Sequence, residues 1–399
     1  MIKLQSYILY IYLFFTFFGL FFCGSFIVGP LSIRNYSALL LFATSVFVNR
    51  NKFFIDSTVR VFIWYLIILI LVNILNGCFD TTHFTRMMLV YQLPSIIVVY
   101  SLPKLMKTKR DVLVTMVLIV ILFLMNAAIT FGQFTGNTTA LLISEIIGFD
   151  SSNFDGDNRL GSYLGGLTGN VVNNGYFLST MLPISVMGLW SEKKLFRFFS
   201  LGVLAIATYC IYIVQQRTAF IILLLFYTFL ILLKRDKYII AIAVCLLFIS
   251  INKTNIFTSI DMGRLSLDTS NDDRLLLFEN FFRFVKSPDI LLGGAQIYYD
   301  VYRGGVQHNA FTSALIIGGI PVFITFLWLV FKIFKSLHQF YRNNGNAYYI
   351  PLCLGCTAYF LCSMTHSTGI QNGGVLFWVL YGLILSFNNV KNETIISSF

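Results

Sequence analysis

Long apolar runs recur from one end of this chain to the other, and most of its lysine and arginine lies in the short connections between them. That pattern constrains the fold more than any motif does. A helix rises 1.5 Å per residue, so about 20 apolar residues cross the hydrocarbon core of a bilayer. Runs over 7–25, 35–49, 61–77, 87–102, 112–131, 171–190, 198–214, 217–233, 238–251, 309–331, 349–365 and 374–388 meet or approach that length. They predict an all-α integral membrane protein, a single polytopic domain over 1–399 with about 12 transmembrane helices. The runs at 35–49 and 238–251 are short and read as tilted or partial crossings. Helices suit these continuous runs better than a barrel, whose strands alternate over about ten residues. Composition agrees. The 399 residues are 57% hydrophobic and 11% charged, whereas a soluble domain is about half apolar and about a quarter charged.

The net charge of +11 does not point to nucleic acid. Its basic residues cluster at 104–110, 193–197, 234–237 and 332–342, all in connections that an even number of spans places on the side of the two termini. Loops rich in Lys and Arg face the cytoplasm, so both termini are expected there. Residues 7–22 resemble the apolar core of a signal peptide, but no small-x-small site follows, and the segment reads as the first span. Cys353 and Cys356 have C-x-x-C spacing inside an apolar run without acidic or histidine neighbours, which favours packing over metal or redox chemistry. Cys23 and Cys78 both approach the outer face, where a disulfide could form.

Two outer segments stand out. The first, 132–170, carries Asp150, Asp155, Asp157 and Arg159 before a glycine-rich stretch. The second, 252–308, is the largest polar insertion. It holds an amphipathic helix at about 272–287, opened by Asn271-Asp272, in which Arg274, Phe278, Phe281, Phe282 and Val285 recur at helical spacing, and closed by Pro288 and Gly293-Gly294. Such a helix suits the membrane interface or the outer mouth of the bundle.

The spans are almost free of Asp, Glu, Lys and Arg. Ion-coupled transporters place ionisable groups near the midplane, so a transporter or flippase is the weaker reading. The exception is Arg217, at the outer end of a run beside Gln216. It can snorkel to water or bind an anion, and a guanidinium fork fits phosphate. Arg274 can bind an anion or pair with Asp272 or Asp273. Arg159 has acidic company. His308, followed by Asn309, sits where the large outer loop re-enters the membrane, and its ring can exchange a proton near neutral pH. Among the four histidines no two have metal-ligand spacing, so no metal site is expected.

Three stretches resemble the O-antigen ligase/polymerase superfamily of bacterial surface-polysaccharide enzymes. They are Gln216-Arg217-Thr218-Ala219-Phe220, Asp273-Arg274 through Phe282 with Lys286-Ser287-Pro288, and His308-Asn309 leading to Gly318-Gly319-Ile320. The run from Arg159 through Asn170 to Asn173-Asn174-Gly175 is similar to the segment before a span in Wzy-type polymerases. The ordered set covers about 155–335; the N-terminal third matches only as generic spans.

The resemblance implies a GT-C-like bundle in a bacterial inner membrane and a metal-independent glycosyltransferase without a cofactor. Its substrates would be undecaprenyl-pyrophosphate-linked glycans. Arg217 and Arg274 would hold the pyrophosphate, and His308 would serve the acceptor hydroxyl. Gln216, Asn309 and Arg159 are further substrate-binding candidates. A chain-length regulator and a flippase of the same pathway would be partners. The absence of a His-x-His pattern and the Asn-rich 170–174 stretch favour a repeat-unit polymerase over a ligase that transfers the glycan to lipid A-core.

Overall fold

A computed structural model describes residues 2–24, 27–28, 31–48, 56–77, 92–147, 164–214, 216–234, 279–303, 309–344, 349–365, 370 and 374–390. These form two compact units, one of residues 1–115 with 270–399 and one of residues 116–269.

The first unit opens with α1 (Ile2–Phe22), a minimal hairpin of β1 (Ile27–Val28) and β2 (Leu31–Ser32), α2 (Ile33–Val48), α3 (Ser57–Leu75) and α4 (Leu93–Leu105). The strands pair antiparallel, Ile27 opposite Ser32 and Val28 opposite Leu31. Helix α5 (Lys109–Phe134) starts here and runs on into the second unit. After the large insertion come a helical stretch over 279–285, a 3₁₀ turn at Pro288–Leu291, α10 (Ala295–Tyr302), α11 (Ala310–Asn344), α12 (Tyr349–Ser363) and α13 (Val375–Asn389). Local chemistry sets the helix starts. Asp56 accepts the N–H of Thr58 at 2.8 Å ahead of α3, and Pro94 occupies the first turn of α4.

Helix α3 lies along α11, and α4 lies between α2 and α13. The core is aromatic. Phe62 of α3 stacks on Trp378 of α13 with ring centroids 4.2 Å apart, and Tyr65 meets Phe326 of α11. A Cβ on Gly382 would lie 3.0 Å from Leu102, so the lack of a side chain there lets α13 approach α4 closely.

The second unit contains the rest of α5, then α6 (Thr138–Ile147), a 3₁₀ turn at Gly166–Thr168, α7 (Val171–Ser185), a 3₁₀ turn at Met187–Trp190, α8 (Lys194–Val214) and α9 (Arg217–Lys234). Helix α7 packs against both α8 and α9 and is buried along almost its whole length.

Among the described residues four helices are long and apolar enough to cross a membrane: Ser57–Leu75, Lys109–Phe134, Lys194–Val214 and Ala310–Arg342. Only 44–50% of each spanning window is buried, although mean hydropathy there reaches 1.8–2.9. Helices that stay apolar on the faces they do not bury belong in lipid. The chain is thus a helical, membrane-embedded protein. Six shorter apolar helices accompany these four, in α1, α2, α4, α9, α12 and α13. The expected run at 238–251 lies outside the described residues.

Three local expectations change. The run read as a span at 309–331 is part of a helix reaching Asn344, broken at Gly318 (φ −150°, ψ 22°) and Gly319 (φ 62°, ψ −158°). The outer segment 132–170 holds a helix of its own, α6, and its first residues complete α5. In the amphipathic stretch, Phe284 rather than Phe282 faces inward. Phe284 is fully buried against Tyr298 and Ile316, with Phe281 and Val285 beside it, while Phe282 is 56% exposed. Residues 272–278 lie outside the described residues. Cys23 is a free buried thiol, and Cys78 lies outside the described residues.

Candidate functional site

In the second unit, Asn126, Thr130 and Gln133 lie on one face of α5 at intervals of four and three residues. Asn174, one turn into α7, completes the group. Asn126 Nδ2 donates to Asn174 Oδ1 at 2.7 Å, and Asn174 Nδ2 donates to Thr130 Oγ1 at 3.0 Å and to the Leu164 carbonyl at 2.7 Å. Asn126 Oδ1 accepts the N–H of Leu167 at 2.7 Å, and Gln133 Oε1 accepts that of Gly166 at 2.9 Å. Asn126, Thr130 and Asn174 are fully buried. Amides in such a place demand partners, and here the partners are the backbone of 164–167, so the network pins that segment. Gly166 has φ +55°, and a Cβ there would lie 2.5 Å from Asn126 Oδ1. Asn170 then caps α7 by accepting from Val172 N at 2.8 Å.

The same end of the unit carries Gln216 and Arg217. Gly175 of α7 faces Gln216 so closely that a Cβ would lie 2.6 Å from its Oε1. That oxygen accepts the N–H of Ala219 at 2.9 Å, which makes Gln216 the cap of α9. Arg217 is the first residue of α9 and half-buried, and no acidic residue occupies that helix's first turn. An arginine thus stands at the positive end of a helix dipole, an arrangement that favours an anion. Lys193, Lys194, Arg197 and Lys234 stand at the opposite ends of α8 and α9.

In the first unit, Asn309 accepts the N–H of Phe311 at 2.8 Å and so caps α11, while its Nδ2 donates to the Met364 carbonyl at 3.3 Å. The break in α11 frees carbonyls, and two neighbours take them. Gly294 N donates to Ile316 O at 2.8 Å, and Asn73 Nδ2 of α3 donates to Ile317 O at 3.2 Å. Gly293 and Gly319 meet backbone to backbone: a Cβ on Gly293 would lie 2.2 Å from Gly319 N, and one on Gly319 would lie 2.5 Å from Ile290 O. Asn76 Nδ2 adds bonds to Leu292 O and Gly293 O at 3.3 and 3.2 Å. The end of the large insertion is therefore seated in the break of α11. Tyr302 donates its hydroxyl to Asp289 in the same segment, and that bond raises the phenol's pKa above its ordinary value.

Of the residues singled out from the sequence, Gln216 and Arg217 are neighbours at one end of the second unit, and Asn309 begins α11 in the first. Arg274, His308 and Arg159 lie outside the described residues. The motif stretches do pair within each unit. The Asn170–Gly175 run touches the Gln216–Phe220 run, and the segment following Lys286-Ser287-Pro288 fills the break at Gly318-Gly319. Sequence reasoning passed over Asn126, Thr130, Gln133 and Asn73, although amides inside an otherwise apolar run were a legible signal. Among the described residues no group of three or more His, Cys, Asp or Glu could hold a metal ion. Comparison with protein-family models finds no match, and comparison with curated proteins finds none either.

Proposed function

We propose that this protein polymerises undecaprenyl-pyrophosphate-linked oligosaccharide repeat units into a surface polysaccharide at the outer face of a bacterial cytoplasmic membrane. About 12 spans in a GT-C-like arrangement, with both termini cytoplasmic, belong to the same reading. The observation that carries it is Arg217, half-buried at the start of α9 and held through Gln216 against the pinned 164–175 region. A pyrophosphate leaving group gains negative charge as the anomeric bond breaks, so a preplaced guanidinium lowers the barrier. Arg274 would supply the second fork. His308 would accept the proton that the attacking hydroxyl sheds. No metal is required, because the two guanidinium groups neutralise the leaving group.

The test is the polysaccharide ladder of a deletion strain carrying Arg217→Ala, Arg274→Ala or His308→Ala. Each variant should insert normally and abolish long chains, leaving single repeats on the core. Wild-type ladders from all three would refute the proposal. Bare core with lipid-linked polymer accumulating would instead identify the ligase activity of the same superfamily.

A further inference from the structure

The end of the first unit that carries Lys332 and Lys335 borders a half-open cavity of about 820 Å³. That is within the usual range for small-ligand pockets, about 300–1,000 Å³. Its lining is organised by chain geometry. Lys332, Lys335, Ser336 and Gln339 succeed one another at helical spacing on one face of α11. Lys109 enters from the start of α5, Asp56, Ser57 and Thr58 from the start of α3, and Tyr349 from the start of α12. The N-termini of α3, α5 and α12 open onto the cavity and add partial positive charge, offset in part by the C-terminal end of α13 at Phe387, Asn388 and Val390.

The acidic side chain among the described lining residues is Asp56, and its carboxylate is engaged. Asp56 Oδ1 accepts the Thr58 N–H at 2.8 Å, and Tyr381 donates to Thr58 Oγ1 at 2.8 Å. Among the described residues neither Lys332 nor Lys335 forms an ion pair. One wall is apolar: the Tyr349 ring lies 4.6 Å from the rings of both Phe340 and Phe387.

Basic residues at the ends of spans orient a membrane protein without needing to meet. Here they converge, with hydroxyls and an amide between them, on a space much larger than one ion. We propose that this cavity binds a phosphate-bearing headgroup or small phosphorylated molecule, with Lys109, Lys332 and Lys335 as its cationic contacts. Ammonium groups hold phosphate as point charges, Ser57 can donate to its oxygens, and the aromatic wall accommodates the attached organic part. The site is independent of the polymerase reading, since it shares no residue with it.

The test uses the full-length protein in detergent with two probes. Inorganic pyrophosphate binding is measured by calorimetry, and retention of phosphatidylglycerol from mixed phosphatidylglycerol–phosphatidylethanolamine vesicles by native mass spectrometry. The comparison includes Lys332→Gln/Lys335→Gln, Lys109→Gln and Arg217→Ala. Pyrophosphate binding that weakens about tenfold or more in the lysine variants, yet persists in Arg217→Ala, supports the site with a soluble phosphorylated ligand. Phosphatidylglycerol retention lost only in the lysine variants supports it with a lipid headgroup. Lys332 is half-buried and Lys335 exposed, so these changes should leave folding intact, as an unchanged elution profile and helical content would verify. Absence of binding by both probes, or equal binding by wild type and both lysine variants, overturns the proposal.

Discussion

Replacing Asn174 by Leu tests whether the buried amide group organises the second unit. The change keeps roughly the same shape and removes three hydrogen bonds, to Asn126, Thr130 and the Leu164 carbonyl. Thr130 keeps a partner, because its hydroxyl donates to Asn126 O at 2.8 Å. One N–H of Asn126 and the carbonyl of Leu164 lose theirs. A buried polar group stranded in this way costs about 1–3 kcal/mol, so two would cost about 2–6 kcal/mol. Hydrogen bonds in membrane proteins measure nearer 0.6 kcal/mol on average, which pulls the expectation to the low end, about 2–4 kcal/mol. The assay is reversible unfolding in mixed micelles titrated with dodecyl sulfate. Ser185→Ala is the control, since the bond its hydroxyl makes, to Met181 O at 2.9 Å, stays within α7. Its loss should cost about 0.5–1 kcal/mol. An Asn174→Leu cost no larger than the control's would refute the claim that this network holds residues 164–167.

Other perturbations address the remaining parts. Gly319→Val puts a Cβ within 2.5 Å of Ile290 O at a φ of +62°, so it should expel the 288–294 segment from the break in α11, lower stability by about 2–4 kcal/mol and speed proteolysis there. Gly175→Leu should displace Gln216 and with it Arg217; ladder synthesis should fall while membrane insertion persists. The raised pKa of Tyr302 means that the folded state holds this phenolic proton more tightly than the unfolded chain does. Its contribution to stability is therefore present below the phenol's ordinary pKa and is lost as pH rises through the raised one. A difference titration against Tyr302→Phe should show late ionisation, and Asp289→Asn should bring it back toward the ordinary value.

The amino-acid sequence by itself determined that this chain is helical and lives in lipid. Its apolar runs are too long and too continuous for any other solvent. It also marked Gln216 and Arg217 as a place of interest, because an arginine among apolar residues needs a reason. Helix caps at Asp56, Asn170 and Asn309 follow from local chemistry in the same way.

Tertiary structure alone decided which polar groups share a place. Asn126 and Asn174 are 48 residues apart, and Asn73 is 244 residues from the carbonyl it serves. Periodicity says which face of a helix is polar, but not which other helix will meet it. The inward turn of Phe284 instead of Phe282 was settled likewise, by the position of Tyr298 and Ile316. Hydrophobic transfer to lipid is a property each segment carries alone and can be summed along the chain. A buried hydrogen bond is a property of two segments, and its partner is chosen only when the helices pack.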